Sequence, residues 1–248
     1  MSRPAALGDA GRDLLLGAAC VGCGAPGRVL CPVCDDALPR RGRLAWPTPT
    51  PAGLAPPWSA GPYDGLLKTL VNEHKEHGVL ALAAPLGRVL CDVVDDLVRA
   101  VDGAPGRPVR LVPVPSRRSV VRRRGHDPLL RVARAAASRL RGRGVDASVR
   151  HLLVSARPVR DQAGLGAADR AVNLAGVMRC RGRPVPGSVP VRGTVLVVVD
   201  DVLTTGATAR EAQRALEQAG VRVDAVATVA ATVRQLCGTA LPFDPSAH

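Results

Sequence analysis

The stretch VLVVVDDVLTTGAT, residues 195–208, determines the fold class of this 248-residue chain. It begins with five consecutive apolar residues, which is typical of a strand buried on both faces of a parallel sheet. Two carboxylates, Asp200 and Asp201, follow directly, and a helical pattern then runs from 207 to 219 and stops at Gly220. In open α/β sheets, ligands bind beyond the carboxyl ends of the strands. We therefore expect an α/β domain with a ligand site at the end of this strand.

The turn at 204–208, with sequence TTGAT, indicates an anion site. Free backbone N–H groups and the positive end of the helix dipole favour a phosphate at the start of a helix. The turn is not a Walker A loop, because Gly-Lys-Ser/Thr is missing. The phosphate end and the two acids together suit a sugar phosphate, and a side chain at Gly206 is expected to intrude on the phosphate. The alternative is an ordinary acidic turn that caps a helix, which rarely combines so many acids, threonines and glycines.

The rest of the chain predicts further helices and strands around this unit. Apolar residues recur at helical spacing over 63–78 and 82–97, and a strand is predicted at 110–114. Asp127 and Pro128 have the residue types of a helix N-cap and first helical position. Another strand is predicted within 221–233. This alternation predicts a parallel sheet with right-handed crossovers.

Four of the seven cysteines form two CxxC pairs in the N-terminal segment, at Cys20, Cys23, Cys31 and Cys34. Two such turns can complete a tetrahedral zinc site, and the segment is too short to fold around an apolar core of its own. The alternatives are two disulfides or a redox CxxC. A cytoplasmic location, which we expect, disfavours disulfides, and no thioredoxin-like unit accompanies the pairs. The sequence predicts a structural zinc ion with no open coordination position.

The formal net charge of +13 comes almost entirely from arginine. It favours either a nucleic-acid partner or a GC-rich coding bias combined with binding of a phosphate ligand. Aromatic residues for base stacking are scarce, which weighs against a single-strand binder. No apolar run reaches the roughly 18 residues of a membrane span, so none is predicted.

Taken together, these motifs resemble the ComF family of competence-associated, type I phosphoribosyltransferase-like proteins. The resemblance rests on the 195–208 stretch, the two CxxC pairs and Tyr63-Asp64-Gly65 leading a helix to Lys75. It also includes Val112-Pro113-Val114-Pro115 with Arg124-Gly125 following, and the spaced set Arg157, Gln162, Arg170 and Asn173. It implies a type I phosphoribosyltransferase fold and phosphoribosyl pyrophosphate as ligand.

The resemblance also implies roles for individual residues. Asp200 and Asp201 would take part in catalysis by binding the ribose hydroxyls, directly or through magnesium. The 5′-phosphate would lie on Thr204, Thr205, Gly206, Ala207 and Thr208. The pyrophosphate would lie on the turn that contains Pro115, Ser116 and Arg117. Arg157 and Arg170 would belong to a loop that closes over the substrate. Lys75 is either a phosphate ligand or part of a solvated face.

Three units are expected: a zinc-binding module over 1–45, a proline-rich linker over 46–60 and the phosphoribosyltransferase-like domain over 61–248. Two functions remain open. The first is a magnesium-dependent phosphoribosyltransferase, a glycosyltransferase whose acceptor is unknown, since no segment obviously reads a base. The second is a non-catalytic factor of DNA uptake or replication restart that binds single-stranded DNA or DNA-processing proteins.

Overall fold

The structure, a computed structural model, describes residues 19–101, 106–116, 125–156, 176–181 and 193–232. Its strands are β1 (Arg43–Leu44), β2 (Pro57–Ser59), β3 (Val109–Pro113), β4 (Ala147–Val149), β5 (Leu153–Ser155), β6 (Met178–Cys180), β7 (Val195–Leu203) and β8 (Ala225–Ala231). Its helices are α1 (Pro32–Asp36), α2 (Gly65–Lys75), α3 (Ala83–Ala100), α4 (Pro128–Gly142) and α5 (Ala207–Glu217), with a 3₁₀ turn at Leu80–Leu82.

Six of these strands form one sheet in the order β1-β2-β8-β7-β3-β4. The five strands from β2 to β4 in that order are parallel, and only β1 runs antiparallel to its neighbour. Strands β5 and β6 form a separate antiparallel pair. Helices flank the six-stranded sheet, so the predicted α/β class with a mostly parallel sheet is confirmed.

The core consists of valine, leucine and alanine, because the chain has very few aromatic residues. Residues 195–199 at the centre of the sheet are at most 1% exposed, as expected for a strand covered on both faces. Helix α4 begins as the sequence predicts: Asp127 is the N-cap and its carboxylate accepts a hydrogen bond from Leu130 N.

Strand β7 is longer than the sequence predicts. The predicted strand ended at Val199, whereas β7 continues to Leu203. Its pairing with β3 does stop at Val199, but its pairing with β8 continues to Leu203 opposite Ala231. Asp200 and Asp201 therefore have a neighbouring strand on one side only, and the other side opens towards the end of β3.

The segment 46–60, predicted as a linker, contributes to this domain over part of its length. It contains β2, which pairs in parallel with β8. Leu54 and Ala55 are buried, and Ala55 N donates a hydrogen bond to Gln213 of α5 at 2.9 Å. In the described ranges, no helix is long and apolar enough to cross a membrane.

Candidate functional site

The site lies where the direction of the sheet crossovers reverses. After β3 the chain passes through α4 to β4 on one side, and after β7 it passes through α5 to β8 on the other side. Such a reversal leaves a crevice at the carboxyl ends of the two central strands, which is where open α/β sheets bind ligands. The acids of β7 come directly after Val199, where its pairing with β3 stops. The sequence predicts one site made of 114–117 and 200–208. Val114 N donates to Val199 O at 2.9 Å, so the start of the first segment lies beside the strand that carries the second.

Two carboxylates and one lysine meet at the end of β7. The last turn of α2 brings Lys75 Nζ to 2.5 Å from Asp201 Oδ2. Burial lowers the pKa of Lys75, but the charges of Asp201 and Asp200 outweigh this effect and hold that pKa above its ordinary value. Lys75 is thus neither a simple solvated residue nor one without a partner: its ammonium group contacts Asp201, while its side chain remains 44% exposed.

Asp200 is in an environment that disfavours its charge. Burial, together with the neighbouring charge of Asp201, raises the pKa of Asp200 to about 8, although Lys75 opposes the shift. A ligand that supplies hydroxyl donors or a cation would stabilise the ionised pair. This is the kind of perturbed group that marks a functional site, and it lies at the position where the topology predicts a ligand.

The predicted anion turn is at the start of α5. Gly206 is the N-cap and has φ 75°, in the left-handed region, and its carbonyl accepts the first helical hydrogen bond from Arg210 N at 2.9 Å. The N–H groups of residues 207–209 precede that bond and are left for a ligand, although Ala207 N also lies 3.4 Å from Thr205 Oγ1. Thr204 is exposed, and Thr205 and Thr208 are half-buried. The turn therefore has donors that an anion can reach.

A side chain at Gly206 would meet the protein's own segment 46–60, a contact that the sequence-based expectation of a clash with the phosphate did not include. A Cβ atom there would lie 3.1 to 3.3 Å from Pro47, Pro51 and Leu54. Segment 46–60 therefore covers the outer side of the turn. Arg210 and Gln213 of α5 fix that segment, since Arg210 Nε donates to Ala52 O at 3.0 Å and Gln213 Nε2 donates to Gly53 O at 2.9 Å.

We expect Gly206→Ala to lower the free energy of unfolding by more than Gly220→Ala does. Both glycines have φ near 75°, where a Cβ atom costs about 1–2 kcal/mol. Only Gly206 also has neighbours within 4 Å of the added atom. Urea denaturation of the two variants separates backbone strain from packing. Equal destabilisation would show that the segment yields without cost and would contradict the close packing.

On the β3 side of the crevice lies a cleft of about 150 Å³. It is lined by residues from four segments, among them Pro115, Ser116, Asp127, Leu130, Ser155 and Arg181. Ser116 Oγ donates to Asp127 Oδ1 at 3.0 Å, so the turn after β3 is tied to the first turn of α4. The predicted ligand residues Pro115 and Ser116 thus line this cleft. The other predicted ligand residues of the set, Arg117, Arg157 and Arg170, lie outside the described residues.

Glu211 is a positioning residue that sequence reasoning missed. It is 4% exposed, accepts a hydrogen bond from Met178 N at 2.9 Å and pairs with Arg214 Nε at 2.6 Å. Arg214 and the N–H of Met178 keep the pKa of Glu211 below its ordinary value although burial opposes this. The pair joins β6 to α5. The sequence carries no signal for it, because Glu211 lies away from the predicted apolar face of Ala209, Ala212 and Leu216.

The second candidate site is the cysteine cluster. The sulfur atoms of Cys20, Cys23, Cys31 and Cys34 all lie within 4.8 Å of one another, so the four cysteines are close enough to bind a metal ion. The Cys23 and Cys31 sulfurs are 3.6 Å apart. A tetrahedral zinc ion with Zn–S distances of about 2.3 Å separates its sulfur ligands by about 3.8 Å. The geometry is therefore compatible with structural zinc.

The electrostatics of the cluster also fit a cation. Burial disfavours the Cys20 thiolate, yet backbone N–H groups of Cys31, Cys23 and Gly22 lower the pKa of Cys20 to about 6. Burial and the neighbouring thiols raise the pKa of Cys34 to about 12. Crowded thiols resist a second ionisation unless a cation compensates the charge, and a bound metal supplies that compensation.

The cysteine module is packed against the α/β domain. Arg88 of α3, only 8% exposed, donates to both the carbonyl and the carboxylate of Asp35 in α1, at 2.9 and 2.7 Å. A Cβ atom at Gly22 would lie 2.6 Å from Leu66 of α2 and 2.8 Å from Cys34 Sγ. The module thus contacts the helix whose last turn carries Lys75.

Comparison of the sequence with models of known protein families gives no match. A search of curated proteins likewise finds none that is significantly similar.

Proposed function

We propose that this protein binds phosphoribosyl pyrophosphate, with magnesium, at the crevice between β3 and β7. The observation that carries the proposal is the pairing of two acids with a helix-start anion turn at the reversal of the sheet crossovers. The mostly parallel sheet supports assignment to a type I phosphoribosyltransferase-like fold, as does the resemblance of the motifs to the ComF family. If the protein is an enzyme, it is a phosphoribosyltransferase.

The proposed pose assigns each end of the ligand to one part of the site. The N–H groups at the start of α5 and the hydroxyls of Thr204, Thr205 and Thr208 hold the 5′-phosphate. Asp200 and Asp201 accept hydrogen bonds from the ribose hydroxyls. The turn at 114–116, beside the cleft, holds the pyrophosphate through its backbone.

The donor set at the strand end also suits magnesium. Carboxylate oxygens and phosphate oxygens are the ligands that this ion prefers. When bound, magnesium stabilises the charge of the departing pyrophosphate. Lys75 holds Asp201 in place beside Asp200, and the ligand's hydroxyl donors make the ionised state of Asp200 favourable.

Titration calorimetry with phosphoribosyl pyrophosphate, with and without magnesium, tests this proposal. We expect saturable, magnesium-dependent binding and a matching rise in the thermal midpoint, because a ligand that binds only the folded state stabilises it. Ribose 5-phosphate should bind more weakly, since it lacks the pyrophosphate. No heat and no thermal shift with either ligand would contradict the proposal.

For the cysteine cluster we propose a structural zinc ion. All four ligands would be thiolates, which leaves no position for a substrate. Backbone N–H groups already stabilise the thiolate of Cys20, and the module's contacts with α2 and α3 would depend on the ion.

Single-stranded DNA remains the second proposal, and the net charge of +13 favours it. Its strongest cationic segment, Arg122-Arg123-Arg124, lies outside the described residues. If DNA binds there, replacing these three arginines by glutamine should reduce the slope of log K against log salt concentration by up to about two units. Fewer phosphate contacts then form, and fewer counterions are released on binding. Fluorescence anisotropy with labelled oligo-dT measures it, and Arg222→Gln, a highly exposed arginine elsewhere, is the control. No binding at low salt would favour coding bias.

A further inference from the structure

Strand β1 is an open edge of the sheet. It pairs with β2 only, with Leu44 opposite Trp58, and no strand in the described ranges covers its other side. Ala45 N donates to Pro57 O at 2.9 Å, so the backbone of Ala45 faces β2. Backbone groups alternate in direction along an antiparallel strand, and the N–H and C=O of Leu44 therefore point away from the sheet. This edge presents main-chain groups that another strand can pair with.

The side chains on this edge are apolar and exposed. Leu44 is 46% exposed and Trp46 is 45% exposed. The two-residue period of a strand places them on one face, where the half-buried Trp58 is the cross-strand partner of Leu44. The chain has two tryptophans. Trp58 lies on β2, and Trp46 lies two residues after the end of β1. An apolar surface next to an unpaired edge is typical of a site that binds an extended peptide.

The exposed arginines beside β1 determine the charge that a bound peptide must carry. Arg40, Arg41 and Arg43 precede or lie on β1 and are exposed. Arg40 and Arg41 contact Asp36 and Asp96, but their side chains remain 49% and 81% exposed. The segment therefore keeps a positive surface, and acidic side chains are its complement.

We propose that the β1 edge binds a short, extended, acidic segment of a partner protein, which adds a strand beside Leu44. Its main chain pairs with the outward groups of Leu44, an apolar side chain packs on Leu44 and Trp46, and acidic side chains face the arginines. The added strand is short, because Pro47 follows Trp46 and has no N–H to donate. A nucleic acid would use the arginines and Trp46 but not the outward backbone groups, so the edge favours a peptide. The proposal is independent of the sugar-phosphate site.

Tryptophan fluorescence of the full-length protein tests this directly, since both tryptophans report on the patch. The probe is an acetylated, amidated peptide of sequence Asp-Leu-Asp-Val-Asp, with Lys-Leu-Lys-Val-Lys as its charge-reversed match. We expect the acidic peptide alone to shift the emission to shorter wavelength in a saturable way that weakens with salt. Leu44→Pro should weaken binding about tenfold or more, because it removes the outward N–H without touching the bonds to β2. Leu44→Ala keeps that N–H and should bind better than Leu44→Pro.

Arg43→Glu provides a second variant that leaves the backbone unchanged, and Arg222→Glu is its matched control. We expect the first to weaken peptide binding about tenfold and the second to leave it unchanged. Equal binding of the two peptides, or binding by Leu44→Pro as tight as by the wild type, would overturn the proposal. If oligo-dT displaces a fluorescein-labelled copy of the acidic peptide at lower concentration than the unlabelled peptide does, the surface is assigned to nucleic acid instead. Self-association that Leu44→Pro abolishes would assign it to a second copy of this chain.

Discussion

Replacing Asp200 and Asp201 together by asparagine is expected to reduce the affinity for phosphoribosyl pyrophosphate by about a hundredfold or more and to remove its magnesium dependence. Each carboxylate would accept charge-assisted hydrogen bonds worth about 1.5–3 kcal/mol, and asparagine carries no charge to hold a cation. Calorimetry gives both quantities. The matched control is Asp146→Asn, which neutralises an acid beside β4, at the opposite, amino end of the parallel strands. Undiminished, magnesium-dependent binding by the double variant would contradict the assigned site.

The same acids predict a pH dependence of the ligand-free protein. Asp200 has a folded-state pKa of about 8 against an ordinary value of 3.8, so the folded state binds this proton more tightly than the unfolded state does. Its contribution to the free energy of unfolding is therefore complete below about pH 4 and is lost as pH rises towards 8. Asp200→Asn should flatten that loss, which urea denaturation at pH 5 and pH 9 measures. An unchanged pH profile would show that Asp200 is already ionised.

Loss of one cluster thiol is expected to remove the metal and unfold the cysteine module. Elemental analysis should find about one zinc per chain in the wild type and close to none in Cys34→Ser. Structural zinc supplies about 10–16 kcal/mol to the folding of small modules, far more than their few apolar contacts. Hydrogen exchange should then lose protection up to about residue 45. Cys91→Ser, a buried cysteine of α3 outside the cluster, is the control and should keep the ion.

The contacts of the module set how far this effect extends. Because Arg88 binds Asp35 and the backbone at Gly22 approaches Leu66, we expect the helices α2 and α3 to lose some protection as well. The α/β sheet should remain folded, since its central strands β3, β7 and β8 pair with one another. A metal-free wild type whose module stays fully protected would contradict the zinc assignment.

Patterns of single segments were sufficient to predict the sheet class, the helix starts and the cysteine cluster. The run at 195–199 predicts a buried strand because only apolar residues tolerate cover on both faces, and Asp127 predicts a helix start through its capping carboxylate.

The extension of β7 to Leu203 could not be predicted, since it depends on pairing with β8 alone. The ion pair of Lys75 with Asp201 is likewise a product of topology, which brings residues 126 positions apart to one edge. The packing of 46–60 over Gly206 has no local signal either. The proline-rich sequence alone is typical of a linker, and its position depends on hydrogen bonds from the distant Arg210 and Gln213.

The pairing of β2 with β8 has a consequence for synthesis of the protein on the ribosome. Trp58 lies opposite Ala227, so a strand made early in translation finds its parallel neighbour only when β8 has emerged. Contacts between such distant residues slow folding, and until then the apolar surface of β2 is open to aggregation. We therefore expect nascent chains that stop before residue 225 to need chaperone protection, whereas chains that include β8 can close the sheet in one late step.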